Sequence, residues 1–259
     1  MHHVFRQIAV PASPSETWRA LTEPARLTQW FATTDRLGPG QRTRFDFDDG
    51  DYFGGEVVEW RESEYLHLTW RFMDLGPRFQ IRFYLSPLAE GSTEVTVHDH
   101  GSQSVEEVMS LRAGWEDFLA RLRQHLATGA NVRYQWSETI GIGAILARDA
   151  GDARDARWPA ELDDRSFWEA AFPTAVVQTQ REDDCLLLAF EEEGWRGTRT
   201  EARVETAPIS GGTYVGLVHA GWPLLPEGRQ IPERRRYAGL WREALARLER
   251  RYARGVEAA

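Results

Sequence analysis

The sequence predicts an α+β fold built as two similar units, and three observations support this prediction. The stretch 57–70 resembles the stretch 177–190, which lies 120 residues further along the chain, and both read as a strand, a polar turn and a second strand. Apolar and polar residues alternate along the strands, as in an antiparallel sheet with one covered face. Each copy then ends in one long amphipathic helix. We therefore expect one unit at residues 1–128 and a second, diverged unit at residues 129–259.

The elements of the first unit follow one another in a readable order. Residues 4–10 predict a strand, and the capping box Ser-Pro-Ser-Glu at residues 13–16 places a helix start at Pro14. Pro24 opens a second short helix that leads to Trp30. The spacing then predicts five strands, at residues 44–48, 52–60, 65–72, 78–85 and 93–100.

The two C-terminal helices have the clearest periodicity. An apolar stripe at helical spacing occurs in both copies, formed by Trp115, Phe118, Leu119, Leu122 and Leu126 in the first and by Trp241, Leu245, Leu248 and Tyr252 in the second. Such a stripe predicts a helix that lies on a core. Residues 233–254 also contain eight arginines and three glutamates. We expect every one of these arginines on the solvent side of the helix.

The start of the second unit has no alignable counterpart in the first. Residues 131–174 are long enough for a strand and helices, and residues 166–172 suggest one helix. This segment leaves the beginning of the second unit open.

Composition excludes several classes of function. All 31 basic residues are arginine, so there is no Schiff-base lysine, phosphate-loop lysine or lysine general base. One cysteine, Cys185, excludes an intrachain disulfide and a multi-cysteine zinc site. No apolar run reaches the roughly 20 residues that span a bilayer, and the chain does not start as a signal peptide does, so we expect a cytoplasmic protein. The formal net charge of −9 disfavours nucleic acid as the main partner.

Several motifs in the first unit occur in the order seen in a known family. They lie at residues 13–24, 29–31, 54–59, 66–70 and 114–116. With the order β-αα-βββββ-α, they make the chain resemble the START-like, or SRPBCC, superfamily, which has the helix-grip fold. Within it the chain looks like the family named after the activator of the heat-shock-90 chaperone ATPase. The resemblance covers nearly all of residues 4–127, whereas the second copy matches only from about residue 175 to 254.

The resemblance implies that a curved antiparallel sheet wraps the long C-terminal helix in each unit and leaves a cavity between them. In related proteins this cavity holds apolar molecules, and in some it is catalytic. The candidate lining residues are Trp30, Phe31, Phe45, Phe47, Trp70, Phe83, Asp99 and Trp115 in the first unit, and Phe190, His219 and Trp241 in the second. These aromatic residues could equally be ordinary core, and both interpretations stay open.

Two polar residues are the candidates for catalysis. The family often has a histidine two residues before the glycine at the end of the last strand, and His219 stands there before Gly221. The first copy has Asp99 at that position, and Asp99 faces the cavity if Val97 does. A carboxylate in an apolar cavity can serve as a general base. The alternative is a strand-end aspartate that is paired with an arginine or exposed at the cavity mouth.

Metal and cofactor chemistry have little support in the sequence. His98 and His100 share one face of a strand, but a zinc site needs three or four donors, and no third donor is identifiable. There is no nucleophile elbow, zinc-protease helix motif or dinucleotide loop. We therefore expect no metal and no cofactor.

Three hypotheses of function follow. The leading one is a binding protein for a small hydrophobic or aromatic molecule, without catalysis. The second is a cyclase-, aromatase- or hydrolase-type enzyme that uses Asp99 or His219 in the same cavity. The third is a protein-interaction module like the chaperone-ATPase activators, although no residue of the sequence supports a particular protein partner. We expect neither nucleic acid nor integral membrane association.

Overall fold

A computed structural model describes residues 2–102, 105–147, 158–182, 185–209 and 212–257. Residues 183–184, which belong to the polar turn predicted within the stretch 177–190, lie outside these residues. The chain consists of two compact units, residues 1–48 with 52–135 and residues 49–51 with 136–259. Among the described residues, no helix is both long and apolar enough to cross a bilayer.

The first unit is a six-stranded antiparallel sheet with three helices. Its elements are β1 (His2–Val10), α1 (Pro14–Thr22), α2 (Pro24–Leu27), β2 (Arg42–Asp46), β3 (Tyr52–Arg61), β4 (Tyr65–Phe72), β5 (Phe79–Pro87), β6 (Thr93–Ser102) and α3 (Val105–Thr128). The strands lie in the order β1-β6-β5-β4-β3-β2. This is the predicted element order, and the predicted α+β class is confirmed.

The second unit repeats this plan with one strand fewer. Its elements are β7 (Ile140–Ala147), α4 (Ala160–Asp163), α5 (Arg165–Ala171), β8 (Val176–Glu182), β9 (Cys185–Glu191), β10 (Thr200–Ile209), β11 (Gly212–Ala220) and α6 (Gln230–Glu257). The strand order β7-β11-β10-β9-β8 matches the first sheet, and the described part of the unit has no counterpart of β2. The unalignable segment therefore contains the first strand and the two short helices.

Local sequence signals set the boundaries of the first elements. The Ser13 hydroxyl oxygen accepts a hydrogen bond from the backbone N–H of Glu16 at 3.2 Å, and α1 begins at Pro14, as the capping box predicts. Pro24 likewise begins α2. These signals act within one helical turn, so they do not depend on the rest of the fold.

Equivalent glycines end the last strand of each sheet. Gly101 has φ of 140° and Gly221 has φ of 102°, values that side chains rarely adopt. A Cβ atom on Gly101 would lie 2.7 Å from the carbonyl oxygen of Arg78. Gly101 therefore lets the end of its strand pass close to the neighbouring strand. Gly101 lies two residues after Asp99, and Gly221 lies two residues after His219.

The inner face of each sheet packs against its long helix. The stripe predicted on α3 is buried at Trp115, Leu119 and Leu122, which join the apolar inner residues of the sheet in one core. The stripe on α6 is buried at Trp241, Leu245 and Leu248. The helical periodicity therefore identified the buried faces correctly.

The expectation that all arginines of α6 face solvent is wrong for Arg234. Its side chain is fully buried inside the second unit, where Nη2 lies 2.7 Å from Asp51 Oδ2 and Nη1 lies 3.4 Å from Asp49 Oδ1. It also donates to the carbonyl oxygens of Ser137, Thr139 and Asp49 at 2.7 Å each. Buried charge is tolerated here because every arm of the guanidinium has a partner.

Replacing Arg234 with leucine should destabilise the second unit strongly. The change leaves Asp49 and Asp51 without their cation, and breaking a buried pair costs about 3–5 kcal/mol. Arg250→Leu is the matched control, because Arg250 is exposed on the same helix. Guanidinium denaturation should give a much lower midpoint for Arg234→Leu only. Equal midpoints for the two variants would contradict this role.

Candidate functional site

The candidate site lies between the first sheet and its two flanking helical segments. Ten side chains surround a small space there, and all are aliphatic or aromatic: Leu21, Leu27, Trp30, Phe31, Phe45, Leu66, Leu68, Trp70, Phe83 and Trp115. They come from α1, α2 and the segment after it, from the sheet, and from α3. The fold thus produces an apolar site at the position that the family resemblance implies.

The space itself is very small in this conformation. Its volume is about 20 Å³, and a cavity needs roughly 10–15 Å³ to hold one water molecule. A ligand larger than a water molecule would therefore have to displace side chains to enter this space.

Parallel and perpendicular rings form the wall of this space. The Trp70 and Trp115 rings are 6.0 Å apart with an interplanar angle of 8°, and the Phe31 and Trp70 rings are 6.4 Å apart at 19°. Phe31 also meets Phe45 edge-on at 5.6 Å. Offset-stacked and edge-to-face pairs are the arrangements that aromatic quadrupoles favour. Phe31 is the residue that links the segment after α2 to the wall.

A buried hydrogen bond joins this wall to the last strand. The Trp115 indole Nε1–H donates to Asp99 Oδ2 at 2.8 Å, and Asp99 is 1% exposed. Asp99 does face inward, because it follows the buried Val95 and Val97 along the alternation of β6. The bond fixes the indole ring of a lining residue against the sheet.

The second unit has the same contact with histidine in place of aspartate. The Trp241 indole N–H donates to His219 Nδ1 at 2.9 Å, and His219 Nε2 lies 2.8 Å from Thr200 Oγ1. Since an indole is only a donor, Nδ1 must be the acceptor, and Nε2 carries the proton and donates to Thr200. Complete burial lowers the pKa of His219 well below its ordinary value. His219 is thus a neutral imidazole with both nitrogens engaged.

Aromatic rings occupy the inner face of the second sheet. Phe172, Phe190 and Trp241 are fully buried, with the Phe172 ring 4.8 Å from Phe190 and 4.6 Å from Trp241. Phe190 also stacks on His219 at 4.8 Å. The three residues predicted to line a second cavity therefore contact one another directly.

The structure brings most of the predicted residues together within their own units. Trp30, Phe31, Phe45, Trp70, Phe83 and Trp115 surround the space in the first unit. Phe47 lies behind Phe31, at 5.4 Å, and Asp99 holds Trp115. Any role of these residues in binding or catalysis stays a prediction.

Sequence reasoning missed two features of these cores. The aliphatic lining from Leu21, Leu27, Leu66 and Leu68 was not proposed, although the strand alternation already placed Leu66 and Leu68 on the inner face. The buried Tyr237 hydroxyl, which donates to Glu192 Oε1 at 2.7 Å, had no signal in the sequence. Burial raises the pKa of Tyr237. For Glu192, burial acts to raise the pKa, but hydrogen bonds from Arg236, Tyr237 and Thr174 lower it overall.

The histidines of the last strand of the first sheet form no metal site with their described neighbours. No group of three or more histidine, cysteine, aspartate or glutamate side chains among the described residues has the geometry to hold a metal ion. His98 and His100 instead lie on the outer face of the sheet, with ring centroids 6.2 Å apart.

The topology and the apolar site define the class of protein. Each unit is an antiparallel sheet with a long C-terminal helix on its inner face, which is the START-like helix-grip arrangement. Residues 11–127 match the family model described as activator of Hsp90 ATPase homolog 1-like protein. The first unit is therefore similar to this family over residues 11–127.

Solved structures extend the likeness over both units. The crystal structure of DynU16, a protein in the dynemicin biosynthetic locus, is 29% identical and has a TM-score of 0.80, covering 96% of this chain and 98% of its own. MLL2253 from Mesorhizobium loti is 25% identical, with a TM-score of 0.46, and covers 49% of this chain and 97% of its own. The Aha1 dimer from Colwellia psychrerythraea is 22% identical, with a TM-score of 0.41, covering 50% of this chain and 98% of its own. No curated protein matches the chain.

Trp115→Phe should destabilise the first unit by more than the loss of buried ring surface alone would explain. The substitution keeps most of the apolar surface but removes the donor to a buried carboxylate oxygen, which costs about 1–3 kcal/mol. In the double variant that also carries Asp99→Leu, the loss of stability should be smaller than the sum of the two single losses, because both substitutions break the same hydrogen bond. Urea denaturation of the four proteins measures this coupling. Strictly additive losses would show that the bond contributes nothing.

His219 should make the second unit acid-sensitive. The pKa of His219 is lower in the folded state than in the unfolded state. Its contribution to the free energy of unfolding is therefore fully present above the unfolded pKa of about 6.5, and it is lost as the pH falls below that value, by up to about 1.4 kcal/mol per pH unit. His219→Gln keeps an acceptor for Trp241 and a donor for Thr200 but does not titrate. The variant should be less stable than the natural protein at pH 7.5, and the gap should narrow by pH 5.5. A gap of the same size at both pH values would refute the prediction.

Proposed function

We propose that the first unit binds a small apolar or aromatic molecule between its sheet and α3, without a cofactor. The observation that carries the proposal is the uniformly apolar lining of the site by ten side chains. Such a lining gives a hydrocarbon or an aromatic ring favourable contacts but offers few groups for a charged substrate.

Binding requires the site to open. A space of about 20 Å³ cannot admit an aromatic ring, so the ligand must move at least one side chain. Phe31 is the best candidate, because it follows the four-residue helix α2 and touches the rings of Trp30, Phe45, Phe47, Trp70 and Phe118. Its displacement would enlarge the space without breaking a hydrogen bond of the sheet.

The second unit has a different role in this proposal. Its inner face is filled by fully buried rings, and its one inward histidine is bonded at both nitrogens. We assign it a structural role and the ligand to the first unit.

The relative with the same two-unit extent supports a small-molecule ligand. DynU16 comes from a biosynthetic locus, which favours small-molecule chemistry over a macromolecular partner. An enzymatic role with Asp99 as the base is the alternative, since Asp99 adjoins the lining through Trp115. No specific observation favours a chaperone partner. A cytoplasmic location is part of the same proposal.

The direct test is native mass spectrometry of gently purified protein, followed by denaturing extraction. We expect a substoichiometric or stoichiometric apolar passenger. The same protein should bind naphthalene with quenching of tryptophan fluorescence, because Trp70 and Trp115 line the site. Leu68→Phe should weaken binding at least tenfold, because the larger ring fills the remaining space.

The matched control is Leu188→Phe. Leu188 is the repeat equivalent of Leu68, 120 residues further on, and is as deeply buried in the second unit. Both substitutions overpack a core, at a cost of about 1–3 kcal/mol, but only Leu68→Phe should lose naphthalene. Natural protein that neither carries a passenger nor binds naphthalene would refute the proposal, as would equal binding by both variants.

A further inference from the structure

Four of the seven histidines lie on one surface, the outer face of the first sheet. His3 on β1 pairs with His100 on β6, and His98 pairs with Arg82 on β5. On its other side Arg82 pairs with His67 on β4. We call these five residues the outer histidine face. It is opposite the cavity, because Ile81 and Phe83, on either side of Arg82, are buried inward.

Arg82 stands at the centre of this face without a carboxylate. No described acidic side chain lies within ion-pairing distance of it, whereas Arg61 on β3 pairs with Glu59 at 3.3 Å. Residues directly opposite on antiparallel strands have Cβ atoms about 4.5–5.5 Å apart, so His67 and His98 flank the guanidinium closely. Burial raises the pKa of Tyr65, and the positive charge of Arg82 acts against that rise.

Exposed rings border the same face. Phe5 is 46% exposed and its ring lies 4.9 Å from His98, and Tyr84 is 36% exposed at 5.2 Å from His98. The Tyr65 ring lies beside the Tyr84 ring, with the two ring centroids 4.9 Å apart. An aromatic body can therefore rest beside the cationic centre.

The charges that act on His98 and His100 are cationic and come from Arg82 and from neighbouring histidines. The other titratable groups on this face are Tyr65 and Tyr84, Glu59, which stands opposite His67 and pairs with Arg61, Glu56, which pairs with Arg78, and Glu94 at the far end of β6. Burial lowers the pKa of His98 and His100, and the positive charges of Arg82 and His3 lower it further. The chain as a whole has a net charge of −9. The positive charges that lower the pKa of these histidines also attract a negatively charged ligand to this face.

We propose that the outer histidine face binds an oxyanion, a phosphate or carboxylate group carried by an aromatic molecule, with Arg82 as its main contact. A planar guanidinium matches the two oxygens of such a group, and His98 and His100 become additional donors once they are protonated, whereas His67 Nε2 lies 2.6 Å from Gln80 Oε1. The ring of the ligand lies against Phe5 and Tyr84. Binding therefore strengthens as the pH falls towards 6, independently of the apolar cavity on the other face.

Nuclear magnetic resonance of the histidine side chains tests the proposal, with phenyl phosphate as the probe. The anion should raise the titration midpoints of His98 and His100 by at least about half a pH unit, a threefold change in proton affinity, because binding and protonation favour each other. Inorganic phosphate should have a smaller effect, since it lacks the ring. Sodium chloride at equal ionic strength should leave the midpoints unchanged.

Arg82→Gln should weaken phenyl phosphate binding at least tenfold at pH 6. In the ligand-free protein, Arg82→Gln should also raise the titration midpoints of His98 and His100, because it removes a nearby positive charge. This rise would show that the variant is folded and that Arg82 lies close to both histidines. Arg61→Gln is the control on the same face and should bind as the natural protein does. Equal binding by Arg82→Gln and the natural protein would overturn the proposal. Midpoints that move as much with sodium chloride as with phenyl phosphate would also overturn it, and equal effects of the two phosphates would overturn the aromatic part.

Discussion

In both units a tryptophan of the C-terminal helix donates its indole N–H to a polar side chain at the end of the last strand. The acceptor is Asp99 for Trp115 and His219 for Trp241, at 2.8 and 2.9 Å. Apolar contacts between a helix and a sheet have no fixed direction, so many rotations of the helix bury similar area. A single buried hydrogen bond does have a direction, and leaving its acceptor without a donor is costly. The bond therefore selects one rotation and one height for the helix, and the lining of the core follows from it.

The two units keep this bond but differ in what surrounds it. In the first, the indole stands beside Trp70 and leaves a small space among ten apolar side chains. In the second, Phe190, Trp222 and Tyr237 close around His219. Replacing a carboxylate by a neutral imidazole suits this closure, because an uncharged ring can stack on its neighbours and lose its water at lower cost. The divergence of the second unit is thus concentrated at one polar residue and the rings packed on it.

The absence of lysine gives arginine every cationic role in the chain. Most ion pairs among the described residues are at the surface, where such a pair is worth about 0–1 kcal/mol. Two arginines depart from that pattern for opposite reasons. Arg234 is buried with a partner for every arm, and Arg82 is at the surface among histidines. A guanidinium suits both settings because it stays charged and presents a rigid fork of donors.

The sequence by itself determined the repeat, the element order of the first unit and the buried faces of the two long helices. Those features depend on local rules: the capping box at Ser13, the prolines at the starts of α1 and α2, and the periods of 2 and 3.6 that separate inner from outer residues. It also located Asp99 and His219 as inward residues, because strand alternation relates them to their neighbours. Only the tertiary structure decided that Arg234 is buried, since its partners are 183 and 97 residues away in the chain. It alone also decided the size of the space among the ten apolar side chains of the first unit, because a cavity is the difference between the space that a fold encloses and the summed volume of side chains from distant elements.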